Sequence, residues 1–204
     1  LRDKFRLGLF DDPYVDPDDA EHTCGSPPFR AAGDRAQRRS AVVISNDGVL
    51  PLREGVRVYA DGLAFEGAAE SPDEADVAIV RRNAPFEPRT NGMIESLFHA
   101  GDLDFKEPEL VALLELARTV PTVLVLHLER PSVIPELVEA CAAVVAVFSA
   151  SDDAVLDVLF GRTKPEGRLP FELPSSMDAV RAQLPDVPGD SPDPLFRFGH
   201  GLDI

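Results

Sequence analysis

The chain reads as an α/β fold, a three-layer α/β/α sandwich built on a mostly parallel sheet. Two observations predict it. Short, near-continuously apolar runs recur after Pro51, and windows with a single apolar helical face lie between them. Strands buried on both faces lose the in/out alternation of half-exposed ones, and parallel strands need crossovers that cover the sheet. With 204 residues, 44% of them hydrophobic, the chain is long enough for one generous core and too apolar for disorder.

Residues 1–30 read as an extended linker arm. LGLFDDPYVDPDDAEHTCGSPPF carries glycines, prolines and Asp with no sustained period of either kind. AAGDRAQRRS (31–40) has helical character and runs into the β-branched AVVIS (41–45), which Asn46, Asp47 and Gly48 close as a turn. The next strands are VRVYA (56–60) and DVAIV (76–80). EPELVALLELART (107–119) puts Leu110, Leu113, Leu114 and Ala117 on one helical face, and Pro121 stops it. TVLVLH (122–127) is a strand. SVIPELVEA (132–140) is a helix with Ser132 as its cap, and AAVVAVF (142–148) is another strand. SDDAVLDVLFG (151–161) is a helix with Ser151, Asp152 and Asp153 at the positive end of its dipole and Gly161 at its stop. From Arg162 onward the chain is Pro-rich and reads as irregular, and His200 in FGHGL reads as part of a structural turn.

Charge narrows the function. A formal net charge of −16 repels phosphate backbones, so neither nucleic acid nor an anionic membrane is an expected partner. The two cysteines have no metal-site spacing, and Cys141, inside AACAAVVAVF, reads as a buried thiol. The four histidines do not cluster at ligand spacing, so no metal is expected. There is no GxSxG, GxxxxGK[ST] or post-strand GxGxxG motif. The stretch that can carry chemistry is RRNAPFEPRTNGMIESLFHAGDLDF (81–105), leaving the C-terminal end of a parallel strand, where open α/β sheets place their sites. It holds Glu87, Arg89, Glu95, His99, Asp102 and Asp104. A carboxyl group there can serve as a general acid if burial or a neighbouring charge raises its pKa; a solvated acidic loop is the bland alternative. Asp102 and Asp104 are expected to cap or solvate the turn before the helix at 107–119.

Five segments, LGLFDDPYVDP (7–17), AQRRSAVVISNDGVLPL (36–52), ERPSVIPEL (129–137), DVLFGRTKPEGRLPFELP (157–174) and DPLFRFGHGL (193–202), resemble in order the landmarks of the C-terminal domain of family 3 glycoside hydrolases. The resemblance implies a sheet of about six strands over residues 31–204, with residues 1–30 as the linker from an N-terminal barrel domain; Leu rather than Met at position 1 fits an upstream portion. It implies a retaining β-glycosidase that acts on a carbohydrate substrate without a cofactor. The aspartate nucleophile would lie in the barrel, so this chain alone would be inactive. It further implies an acid/base glutamate from a loop such as 81–105. Relatives of the exo-glucanase type have a segment like PYAEGxGD there. The nearest match, Ala84-Pro85-Phe86-Glu87-Pro88-Arg89, makes Glu87 the acid/base candidate, although the Gly-Asp pair is absent and Glu95 stays a competitor. Arg89, His99 and Phe86 are candidates for contacting the sugar. Against these stand a scaffold or carbohydrate-binding role without catalysis, and an unrelated flavodoxin-like module.

Overall fold

The computed structural model describes residues 1–89 and 92–204, in two compact units, Leu1–Ala36 and Gln37–Ile204. The first unit corrects the expectation of an extended arm. It contains the helices α1 (Arg2–Arg6) and α2 (Pro17–Thr23), and α3 (Pro27–Ser40) begins in it and ends in the second unit. The reason is local. Asp16 caps α2, its carboxylate accepting from the Asp18 and Asp19 N–H groups at 2.8 and 3.3 Å, and Pro17 occupies the first helical position, where its missing N–H costs nothing. Helices of five and seven residues are too short to show a period.

The second unit holds five named strands, β1 (Val42–Asn46), β2 (Val58–Asp61), β3 (Val77–Asn83), β4 (Thr122–His127) and β5 (Ala143–Val147), in the order β1-β5-β4-β3-β2. Four are mutually parallel and β1 runs antiparallel to β5. The resemblance implied about six strands. On the outer edge of β1, among the described residues, the chain adds a single antiparallel bridge, Leu202 to Val43, with the Leu202 N–H donating to Val43 O at 2.8 Å.

Each strand sends alternate residues to opposite faces, and both faces are covered. Val43, Ile79, Val125 and Val145 pack with Val155 and Leu159 of α6 (Asp152–Leu159). Ile44, Val80, Leu124 and Val144 pack with Leu113 of α4 (Glu109–Thr119) and Leu137 of α5 (Pro135–Ala140). This is the three-layer arrangement that the apolar runs predicted. Ser151 caps α6, accepting from the Ala154 N–H at 3.3 Å, and Gly161 ends that segment at φ +67°, a conformation that favours glycine.

Two local readings are corrected. Ser132 does not cap α5, which starts at Pro135 behind Ile134; Ser132 is fully buried and its hydroxyl has no hydrogen-bond partner among the described residues. The Pro-rich tail contains a helix, α7 (Met177–Ala182), capped by Ser176, whose hydroxyl accepts from the Ala179 N–H at 3.1 Å. His200 sits in a turn as expected, its Nε2–H donating to Ile44 O at 2.8 Å. Among the described residues, no helix is long and apolar enough to cross a membrane.

Cys141 is 3% exposed, and burial pushes its thiol up to about 11, whereas Cys24 is exposed. A thiolate is the reactive form. In the native chain at pH 8 a thiol reagent should therefore titrate one cysteine per chain and, after denaturation, two. Two fast thiols in the native state would contradict the buried position of Cys141.

Candidate active site

The C-terminal edge of the parallel sheet assembles the site. β3 and β4 stay paired to their last residues, Asn83 opposite His127, which brings the segment after β3 beside the segment after β4. A polar line crosses this edge: His127 Nδ1 lies 3.3 Å from Asn83 Oδ1, and its Nε2 lies 3.3 Å from the Ser149 hydroxyl beyond β5. Beyond Asn83 the chain leaves the sheet and returns at residues 98–105 before α4.

The outgoing and returning limbs are joined at one antiparallel bridge, Glu87 to Ala100, where the Glu87 N–H donates to Ala100 O at 2.8 Å. Phe86 stacks on the His99 ring, centroids 3.7 Å apart and planes within 8°. His99 Nδ1 bonds in turn to the Glu129 carboxylate. The Arg130 guanidinium donates to Gly101 O at 2.7 Å. Gly101 has φ +87°, and a Cβ there would fall 2.5 Å from Glu87 Cγ and Cδ. Glycine is thus required twice, for the backbone and for the space that the Glu87 stem fills.

Glu87 and Phe86 line a cleft of about 610 Å³, with Arg82, Asp102, Lys106 and Glu109 on its other walls. Those walls are held by ion pairs. Arg82 reaches Asp61 at 2.5 Å and Glu109 at 3.3 Å, and Arg81 reaches Asp152 at 2.5 Å. Asp102 and Asp104 bind Lys106 Nζ, at 2.8 and 3.0 Å, rather than capping α4, which starts behind Pro108 without a side-chain cap. The hydrogen bond from Lys106 holds the Asp102 carboxyl below the ordinary aspartate range, and its bonds to Asp102 and Asp104 raise the Lys106 ammonium above the ordinary lysine value. A depressed acid contributes stability above its unfolded pKa and loses it as pH falls through the folded one; a raised base does so below its unfolded pKa and loses it as pH rises. Asp102 and Lys106 are therefore both charged throughout the neutral range.

The candidate residues separate in space. Glu87, Phe86 and His99 come together. Glu95 does not join them. It sits on an exposed 3-10 turn (Glu95–Leu97), with its carboxylate against Gly92, and does not line the cleft. Arg89 is exposed, with no hydrogen bond or ion pair among the described residues, and its neighbours Thr90 and Asn91 lie outside those residues. The turn displays Met93, Ile94, Leu97 and Phe98, each at least 64% exposed. Glu129 and Arg130 were not singled out by sequence reasoning, although their position just after a parallel strand adjacent to β3 was a usable signal. Among the described residues, no group of three or more His, Cys, Asp or Glu is placed to hold a metal ion.

The family model described as "Glycosyl hydrolase family 3 C-terminal domain" matches residues 54–204. The chain is 45% identical over 99% of its length to a probable beta-glucosidase C of Aspergillus flavus, and 46% identical over its whole length to beta-glucosidase C of Emericella nidulans. It is 41% identical over 99% of its length to a periplasmic beta-glucosidase/beta-xylosidase of Dickeya chrysanthemi. It covers 33%, 34% and 32% of those proteins, so the chain spans about a third of the length of the curated relatives it matches. Among solved structures, a beta-glucosidase from Listeria innocua in complex with gluconolactone superposes with a TM-score of 0.75 over 98% of this chain and 37% of that one, at 18% identity, a likeness of fold.

Proposed function

The chain belongs to glycosyl hydrolase family 3 as its C-terminal domain, and from that premise we propose that it supplies the acid/base carboxyl, Glu87, of a retaining β-glucosidase-like enzyme. The observation that carries this reading is the placing of Glu87: the bridge to Ala100 and the absent Cβ of Gly101 set its side chain on the cleft wall, while Glu95 stands away. Retention of configuration requires two carboxyl groups about 5 Å apart, one attacking the anomeric carbon and one protonating the leaving oxygen. The nucleophile is an aspartate of a barrel domain outside this chain, and residues 1–30 are the linker to it. Glu87 first donates its proton to the glycosidic oxygen. It then takes a proton from the water that releases the sugar. On this chain alone Glu87 is exposed, and the barrel is the body that would desolvate it and favour the protonated form. Without the nucleophile the isolated chain turns nothing over.

An external nucleophile tests the assignment. Azide needs no general base, so it opens a glycosyl-enzyme intermediate whose base has been removed. With 2,4-dinitrophenyl β-glucoside and azide, Glu87→Ala in the intact enzyme should accumulate β-glucosyl azide and turn over about tenfold or more faster than without azide. Glu95→Ala should give no such product. The reverse pattern would transfer the role to Glu95, and no azide product from either variant would leave the acid elsewhere and the domain a scaffold.

A further inference from the structure

We propose that Glu129 and Arg130, from the segment after β4, are positioning residues that aim Glu87 by gripping the limb against which it lies. The proposal rests on the acid/base reading of Glu87 and adds to it a means of control. Among the described residues, one backbone hydrogen bond joins the outgoing limb to the returning one, Glu87 N–H to Ala100 O. The residues on either side of Ala100 are held from outside the excursion. Glu129 binds the His99 imidazole, whose face carries Phe86, and Arg130 binds Gly101 O, behind which the Glu87 stem is seated.

The chain of contact thus runs from β4, the central strand, through Glu129 and Arg130 to His99 and Gly101, and from these to Phe86 and Glu87. Half-exposed pairs of this kind contribute little to global stability. Their effect is on orientation, because proton donation depends steeply on the angle and distance between the carboxyl and the leaving oxygen. Neither residue lines the cleft, so neither touches substrate through it.

The test compares kcat/KM in the intact enzyme on an alkyl β-glucoside, whose leaving group needs the acid, and on 2,4-dinitrophenyl β-glucoside, whose leaving group does not. Glu129→Ala should lower kcat/KM about tenfold on the alkyl substrate and by less than about twofold on the activated one. Glu129→Gln, which still accepts from His99, should recover most of the loss. If Glu129 acts through Glu87, the double variant Glu87→Gln/Glu129→Ala should be no slower than Glu87→Gln alone. Equal loss on both substrates, or an additive loss in the double variant, would mean a merely structural role and overturn the proposal. So would a silent Glu129→Ala in an enzyme whose Glu87→Gln variant does discriminate. If Glu87→Gln itself fails to discriminate between the substrates, the acid/base reading falls and takes the proposal with it.

Discussion

Glu87→Gln in the intact enzyme should lower kcat/KM for an alkyl β-glucoside by about 10²–10⁴-fold, the range that a lost general acid costs. The substitution keeps the shape of the side chain and its contact with the Asp102 N–H, 3.5 Å from Glu87 Oε1, so the cleft should persist and only the proton should be missing. For 2,4-dinitrophenyl β-glucoside the same variant should hold kcat/KM near the parent value, because that leaving group departs as a stable anion. Its kcat and KM should nevertheless fall together. The second step still needs a base to activate water, so the glycosyl-enzyme accumulates and saturation comes early. An equal fall of kcat/KM on both substrates would place the proton donor elsewhere.

Leu124→Ala should destabilise the 204-residue chain by about 3 kcal/mol, within the range seen when buried leucines are truncated. Leu124 lies on β4, paired on both sides by β3 and β5, and is fully buried on the face covered by α4 and α5. The backbone ladders on either side prevent the strand from collapsing into the cavity, so the lost contacts are not regained. Against a total stability of about 5–15 kcal/mol this is a large share. Urea unfolding should show a lower midpoint at unchanged slope. Leu97→Ala, at a residue 74% exposed on the 3-10 turn, should change the unfolding free energy by less than about 0.5 kcal/mol in the same assay. A Leu97 effect as large as that of Leu124 would be incompatible with this division between core and excursion.

The contrast between these leucines shows where sequence was legible. TVLVLH is uninterrupted because both faces of β4 are buried, and the predicted strand at 122–127 agrees with the observed one residue for residue. The helix after Ser151 carried its own cap and stop, so it too was readable. α1, α2 and α7 were missed because five to seven residues give at most two helical turns, too few for a period to emerge. Ser132 looked like a cap because its residue type fits one, but the chain buries it and starts the helix three residues later.

At the candidate site, Glu87 and Glu95 were equivalent by composition, each an acid in a polar stretch after a strand. What separates them is the bridge of Glu87 to Ala100, a contact across thirteen positions that no local spacing encodes. Glu129 and Arg130 were hidden for the same reason, since their partners His99 and Gly101 are about thirty positions away.

By itself, then, the amino-acid order determined that this protein would build a buried, mainly parallel sheet between helices, because burial and capping act on near neighbours and leave their mark in composition. Only the tertiary structure decided which of Glu87 and Glu95 lies against the cleft, that β1 runs opposite to its neighbour, and which residues of the next strand's exit bind His99 and Gly101. Those depend on strands pairing at long range, and the energy of that pairing belongs to backbone groups that every residue shares.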